Sequence, residues 1–415
     1  MPARRLAARW VLPIAGPPIE GGAVLLGPDG RVQVVGPDAA VPRPPEVSGE
    51  EFAGGMLLPG LVNTHTHLEL TGFDLAAPEP DFASWIGRVR EIKESRSAEE
   101  FLAAARVGLS DCYAAGVTTV ADTGDTGSVI QAMAEAGASG IAYQEVFGPG
   151  PGQMAESLAG LRGRMETSGR FAVGRVRLGL SPHAPYSVSG PLYAAVAAWA
   201  ARDELPLAVH LAESRAESEL LQRGTGPFAE AWRRRAIPLP GEQPHSPVEW
   251  LDRHGVLGER TLCIHLVQTG PGDVERLARR GCAVAHCPLS NAAHGHGAAP
   301  LARFLSHRLR VGLGTDSVLS VTRLDLLAEA RAARALSGID AESALELCTL
   351  GGAGALGLDR EIGSLEVGKW GDCVVLRPAS TGGSPAERAL QAGRDDVIAT
   401  FVGGREVYRA EPVRS

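Results

Sequence analysis

Six residues in this chain join metal-binding or proton-carrying chemistry to a regular placement. His65, His183, His210, His265, His286 and Asp316 each fall at or near the C-terminal end of a different short apolar run. His65-Thr66-His67 is the sharpest piece. On an extended strand residues i and i+2 face one side, so both imidazoles enter the same space. Imidazole nitrogens suit zinc-like divalent ions, and a catalytic ion keeps one position for water. His210 and Asp316 complete a set of three nitrogens and one oxygen.

Glu213 follows His210 in HLAES. A carboxylate beside such an ion, rather than on it, can shuttle protons; the competing role is a cap for a helix beginning near Ser214. His265 suits a hydrogen bond to the attacking water or a developing oxyanion. His183, in SPHAPYS, is assigned to substrate, while His286, in AHCPLSN, either enters the pocket or anchors its loop. His294-Gly295-His296 is a second pair of this kind, but no strand orients it and it reads as a mobile loop. His245, His254 and His307 read as surface positions.

The elements that must hold these residues are eight strand-like runs: LLPGLVNTH (57–65), VTTVADT (117–123), GIAYQEVF (140–147), RVRLGLSPH (175–183), LPLAVHLAE (205–213), RTLCIHLVQ (260–268), CAVAHCPLS (282–290) and RVGLGTDS (310–317). Between them lie stretches with apolar residues at helical spacing, such as AEEFLAAARVGLSDCYAAG. Near-continuous apolar strands joined by helical crossovers mean parallel pairing buried on both faces. Eight units favour a closed barrel over an open doubly wound sheet, and barrel sites lie at the C-terminal strand ends. The connection over residues 214–259 is too long for a plain crossover and reads as a lid or specificity element. Both ends of the chain are rich in short β-like runs with Gly, Pro and Asp turns, including PDG at 28–30, so the termini are expected to share an accessory sheet.

Apolar residues make up 44% of the 415 and charged residues 21%, enough for a large core. A net charge of −8 argues against nucleic acid or an anionic membrane as partner. The six scattered cysteines, without a CxxC pair, read as reduced thiols of a cytoplasmic protein. The opening MPARRLAARWVLPIAG has too short an apolar run for a leader and reads as a strand. The two lysines are Lys93 and Lys369. A bridged two-metal centre usually needs a carboxylated lysine on an inner strand, and neither lysine lies on one. One ion is therefore the simpler expectation, although an Asp, Glu or Cys bridge would also serve.

PGLVNTHTHLEL, SPHAPYSVS, HLAES, the strand-end histidine of CIHLVQ, HCPLSN, GLGTDS and the terminal GSLEVGKWGDCVVL resemble the amidohydrolase superfamily, in order and over nearly the whole chain. The branch is that of the cytosine, guanine and adenosine-derivative deaminases and the triazine hydrolases. The resemblance implies an α/β fold: a distorted (β/α)₈ TIM barrel over residues 57–358, with a small β-sandwich domain built from 1–56 and 359–415. It makes His65, His67, His210 and Asp316 ligands of one divalent metal, zinc first, with iron, manganese and nickel also suited.

By the same resemblance Glu213 is the proton shuttle, His265 the hydrogen-bonding partner of water or substrate, and His183 a substrate contact. Asp316 takes a proton from the attacking water, Glu213 protonates the ring nitrogen beside the carbon attacked, and ammonia leaves. Glu69, with Trp85 in FASWIGRVR, is more similar to the deaminases of 6-amino-6-deoxyfutalosine in the futalosine route to menaquinone. Arg88, Arg90 or Arg215 would then pair with the benzoate of that nucleoside. The alternatives are deamination of adenosylhomocysteine, methylthioadenosine or guanine, a triazine-type chlorohydrolase or a cyclic amidase. A scaffold without activity would be expected to have lost ligands. Relatives of this branch are often dimers, so a homodimer is compatible.

Overall fold

The computed structural model describes residues 2–74, 79, 81–241, 243–379 and 382–411. Four strands open the chain: β1 (Arg4–Val11), β2 (Ile19–Leu26), β3 (Val32–Pro37) and β4 (Ser48–Pro59). The β2–β3 hairpin turns at the Pro28-Asp29-Gly30 segment, where Gly30 takes a positive φ of 80°. Eight barrel strands follow: β5 (Leu61–Thr66), β6 (Val117–Gly124), β7 (Ser139–Val146), β8 (Arg175–Pro182), β9 (Leu207–Leu211), β10 (Thr261–His265), β11 (Ala283–His286) and β12 (Arg310–Leu313). They pair in sequence order, all parallel. Three strands close the chain, β13 (Cys373–Leu376), β14 (Val397–Val402) and β15 (Arg405–Arg409), and join the first four in one seven-stranded sheet of order β15-β14-β13-β4-β1-β2-β3. No helix among the described residues is long and apolar enough to cross a membrane.

Each of the eight expected runs carries a barrel strand. Small and branched side chains fill one face of them: Ala121, Ile141, Ala208, Leu262, Ile264 and Ala285 form one buried cluster. Their neighbours Val120, Ala142, Val209, Cys263 and Val284 pack into the larger cluster with the helices. Burial on both faces is why these runs lack polar alternation.

The helices between β5 and β6 are α1 (Phe82–Glu94) and α2 (Ala98–Ala114). Single crossovers follow: α3 (Ser128–Ala136), α4 (Met154–Gly169) and α5 (Gly190–Arg202). The long 214–259 connection, read as a lid or specificity element, is mostly helical, with α6 (Arg215–Arg223), α7 (Gly226–Arg234) and α8 (Pro247–Arg253). Leu220, Phe228, Ala229 and Trp232 of α6 and α7 bury against Ala184 and Tyr186, and Phe82 and Ile86 of α1 pack onto them. That apolar demand is what folds the connection down. Then come α9 (Asp273–Arg280), α10 (Pro288–Ala293), α11 (Leu301–Ser306) and, after β12, α12 (Leu326–Ser337), α13 (Ala341–Leu347) and α14 (Leu350–Ala355).

One boundary shifts. Leu57–Pro59, expected to begin the first barrel strand, end β4 instead, with Leu57 paired to both Val11 and Val375. The terminal sheet therefore reaches Pro59 rather than stopping at residue 56. Gly60 then carries the chain into the barrel, where a Cβ would lie 2.1 Å from Thr118 Oγ1. A tighter approach occurs at Gly140, whose φ is 143° and whose Cβ would lie 1.9 Å from the Val120 carbonyl oxygen. Backbone cannot yield there as a flexible side chain can. Gly140→Ala is expected to destabilise the fold by at least about 3 kcal/mol in urea denaturation, through strain and a forced strand separation; an unchanged midpoint would refute this reading of the β6–β7 contact.

Candidate metal centre and active site

The barrel closes where β5 meets the segment after β12. The Asp316 N–H donates to the His65 carbonyl at 3.0 Å. Asn63 clasps the same joint from its side chain, donating to Thr315 Oγ1 at 2.8 Å and accepting the Thr315 N–H at 3.1 Å. At or just beyond the ends of β9, β10 and β12 the chain turns through left-handed backbone at Ala212, His265, Leu266 and Asp316, with φ of 51°, 74°, 51° and 61°. Non-glycine residues held this way cost about 1–3 kcal/mol each and gather at functional sites.

These joints bring His65, His67, His210 and Asp316 together. His65 Nε2 and His67 Nε2 each lie 3.6 Å from Asp316 Oδ1, and His67 Nε2 lies 3.4 Å from His210 Nε2. His67 Nδ1 donates to the Thr123 carbonyl at 2.8 Å and His210 Nδ1 to the His183 carbonyl at 3.2 Å. Each N–H being spent on a carbonyl, both Nε2 atoms are acceptors facing one another. His65 has no hydrogen-bond partner at either ring nitrogen.

Burial lowers the pKa of all three imidazoles, that of His67 to about 4, so their lone pairs are free. Burial also acts to raise Asp316, but the His65 ring 3.6 Å away and the neighbouring His67 and His265 hold it well below the usual carboxylate range. Donors about 2.0–2.1 Å from a tetrahedral ion sit roughly 3.4 Å apart. His65, His67 and Asp316 form one group whose ligand atoms lie within 4.8 Å of one another, and His65, His210 and His265 form an overlapping one, so the chemistry and spacing of these donors fit a divalent metal ion.

Around it, buried groups fix the donors. Ser290 Oγ donates to Asp316 Oδ2 at 2.5 Å, and Asn291 Oδ1 accepts from His265 Nδ1 at 3.0 Å. Both belong to α10, whose Leu289 N–H is accepted by the buried Glu329 carboxylate at 2.9 Å. Asp122 accepts from Thr66 Oγ1 at 2.9 Å and from the Leu68 N–H at 2.7 Å, gripping the residues on either side of His67.

Glu213 is buried, its Oε1 3.5 Å from His265 Nε2 and 3.6 Å from His296 Nε2. Burial pushes its carboxyl up to about 7, with His265 pulling the other way. It caps nothing, because Ser214 accepts the Glu217 N–H at 3.2 Å and takes that role for α6. With Nδ1–H given to Asn291, His265 turns an acceptor Nε2 toward Glu213, which suits a bond from water or from the acid form of Glu213.

The other expected residues are distributed differently. His183 is near the cluster, its Nδ1 2.7 Å from Ser187 Oγ, and burial lowers it to about 3. Trp85 lies on α1 with its ring 4.5 Å from that of His294. Glu69, expected to touch substrate, is 1% exposed, and both oxygens are engaged by the protein: Oε1 by Lys93 Nζ at 2.7 Å and Oε2 by Thr126 Oγ1 at 2.5 Å. His286 is buried with neither ring nitrogen paired, so it does not anchor its loop by a side-chain bond. The 294–296 segment is not loose. The Gln268 side chain holds the His296 carbonyl at 2.7 Å, Phe82 packs 4.6 Å from the His296 ring, and that imidazole joins the site beside Glu213. Of the three supposed surface histidines, His245 is exposed, His307 half-buried and His254 half-buried against Trp250 at 4.3 Å.

Arg88, Arg90 and Arg215 are exposed and paired with neighbours on their own helices, Glu91, Glu94 and Glu219. A cation that does reach the strand ends is Lys93, bonded to Glu69 and Asp125. Against the cost of burial, those two carboxylates hold Lys93 above the ordinary lysine range. It stays an ammonium, whereas a metal-bridging carbamate needs a neutral amine.

Residues 56–407 match the amidohydrolase family. The chain belongs to that family. As an amidohydrolase it is a hydrolase acting on carbon–nitrogen bonds. It is 30% identical to the 5-methylthioadenosine/S-adenosylhomocysteine deaminase of Desulforudis audaxviator over 97% of this chain and 93% of that one. It is 33% identical to the aminodeoxyfutalosine deaminase of Deinococcus radiodurans over 81% of each. In fold it is similar to a zinc-bound adenosine deaminase from Xanthomonas campestris, with a TM-score of 0.83 at 23% identity, covering 97% and 92% of the two chains.

Glu217 was legible only as a helix-start residue, from the Ser214-x-x-Glu217 spacing. Its oxygens accept the N–H groups of Ala212 at 2.9 Å and Glu213 at 3.1 Å, which holds the left-handed turn that presents Glu213. A glutamine there has one acceptor oxygen and turns donors toward a donor. Glu217→Gln is expected to cost about 1–3 kcal/mol of stability and to lower kcat/KM with little change in bound metal. Wild-type kinetics at reduced stability would show that the turn does not position Glu213.

Proposed function

We propose that this amidohydrolase removes the 6-amino group of an adenine nucleoside modified at its 5′ position, with 6-amino-6-deoxyfutalosine as substrate. The observation that carries the chemistry is Glu213: a buried acid of pKa about 7, beside the acceptor nitrogens of a candidate metal centre but not among them. The 33%-identical aminodeoxyfutalosine deaminase, and the resemblance in the Glu69 and Trp85 stretches, support that nucleoside.

On this reading His65, His67, His210 and Asp316 hold one divalent ion, zinc first. When bound it supplies a Lewis acid that brings the pKa of water towards about 7. Asp316, whose Oδ2 accepts from Ser290 Oγ and whose Oδ1 accepts from the Ser317 N–H, takes a proton from the attacking water. His265 Nε2 accepts a hydrogen bond from that water. The Glu213 carboxyl donates its proton to the ring nitrogen next to C6, the proton held by Asp316 leaves with ammonia, and the remaining proton on the C6 oxygen returns to the Glu213 carboxylate as the carbonyl forms. His183 contacts the nucleoside, and Phe82, Trp85 and the 294–296 segment exclude water above it.

A second reading takes methylthioadenosine, adenosylhomocysteine or 5′-deoxyadenosine, the substrates named for relatives 30% and 31% identical. It is favoured by the surface placement of Arg88, Arg90 and Arg215, which leaves the futalosine benzoate without the arginine partner expected for it.

Ammonia release from a panel of adenine nucleosides with varied 5′ groups, run on protein of measured metal content, separates the two. Aminodeoxyfutalosine is expected to give the highest kcat/KM; turnover of another nucleoside with none of this one refutes the substrate assignment. Glu213→Gln is expected to keep wild-type metal content and to lose about 10²–10⁴-fold in turnover. In the native enzyme the acid form of Glu213 disappears as pH rises through its pKa, tenfold per unit, so kcat/KM should fall above about pH 7. A flat profile from about pH 6 to 9 would remove the acid role.

A further inference from the structure

A cavity of about 530 Å³ lies apart from the donor cluster, between the N-terminal ends of α2 and α3 and the later turns of α4. Its floor is the start of α3, a nine-residue helix. The N-cap position is Gly127, left-handed at φ 75°, so no side chain caps the helix. Among the described residues the Ser128 N–H has one side-chain acceptor, Thr126 Oγ1 at 3.1 Å. The first N–H groups of a helix carry partial positive charge and, where a side chain does not take them, offer themselves to an anion.

The walls point the same way independently. Ser168 is 4% exposed, lines the cavity, and its hydroxyl has no hydrogen bond among the described residues. That hydroxyl sits directly over the N-cap, 3.1 Å from where a Cβ of Gly127 would be. Arg164 also lines the cavity, with Nη2 bonded to the Glu145 carbonyl at 2.8 Å and a buried Nε that has no partner. Arg170 adds a second guanidinium, lying over the Phe171 ring at 4.6 Å. The one carboxylate lining the cavity is that of the exposed Glu99. The buried Arg164 Nε, a donor left without an acceptor, is costly unless a ligand or water completes it. The volume exceeds a bare ion and is in the range of metabolite sites.

We propose that this cavity binds the oxyanion group, phosphate or carboxylate, of a small metabolite. The oxyanion rests on the start of α3 beneath Ser168 and Arg164, and the apolar remainder lies on Leu102 and Phe171. The site is distinct from the metal centre, with Thr126 and Glu69 between them.

Calorimetry on the full-length, metal-loaded enzyme tests this with inorganic phosphate and with acetate, and needs no activity readout. At least one is expected to bind saturably at one site per chain. Phosphate alone identifies a tetrahedral group, acetate alone a planar carboxylate, and both a site that reads charge; each supports the proposal. Ser168→Asp places a carboxylate over the helix start in cis, so it should weaken binding at least tenfold while leaving basal activity unchanged. Arg164→Gln should weaken it to a similar degree, and serves if the first variant does not fold. No saturable binding of either probe, or binding unchanged in the folded variants, overturns the proposal.

Discussion

Acceptor nitrogens do not face one another in a protein interior without something positive between them. His67 and His210 are in that position, each having given its N–H to a backbone carbonyl, with unpaired His65 and the low-pKa carboxylate of Asp316 beside them. Much of the barrel mouth serves to hold this repulsive set still. Asp122 grips the residues flanking His67, α10 holds Asp316 and His265 through adjacent side chains, and Glu329 holds α10. The left-handed turns at Ala212, His265, Leu266 and Asp316 are stabilised only by such surroundings.

The strands and their terminal histidines were readable because one constraint governs both. A parallel strand buried on two faces is a short apolar run, and a polar residue at its end has only the barrel mouth to face. His65, His210, His265 and Asp316 stand out for that reason. The start of the first strand was less legible. Leu57 and Leu58 are as apolar as any barrel residue, and only the pairing of Leu57 with Val11 and Val375 assigns them to the terminal sheet.

Residues carried in from helices and connections escaped the sequence for a different reason: nothing local orients them. Lys93 reads as an ordinary helix charge, yet α1 lays it against Glu69 and Asp125. His296 sits in a glycine-rich stretch, and only Gln268 and Phe82, distant in sequence, turn its ring to Glu213. The arginines expected to meet a substrate carboxylate went the other way. Each has an acid three or four residues along its helix, and the nearer partner wins.

The joint between β5 and the segment after β12 has a consequence for how the barrel behaves as a mechanical object. Seven of its eight seams are strand ladders, with register shifts at β5–β6 and, at β8–β9, a short pairing that backbone bonds extend. The eighth rests on one bridge, between Thr66 and Asp316, made by the Asp316 N–H to the His65 carbonyl, with Asn63 as a clasp. His65 and Asp316 are also two of the proposed ligands, one on each lip of that seam. An ion gripping both would act as a rivet, coupling the closing of the hoop to the occupancy of its centre.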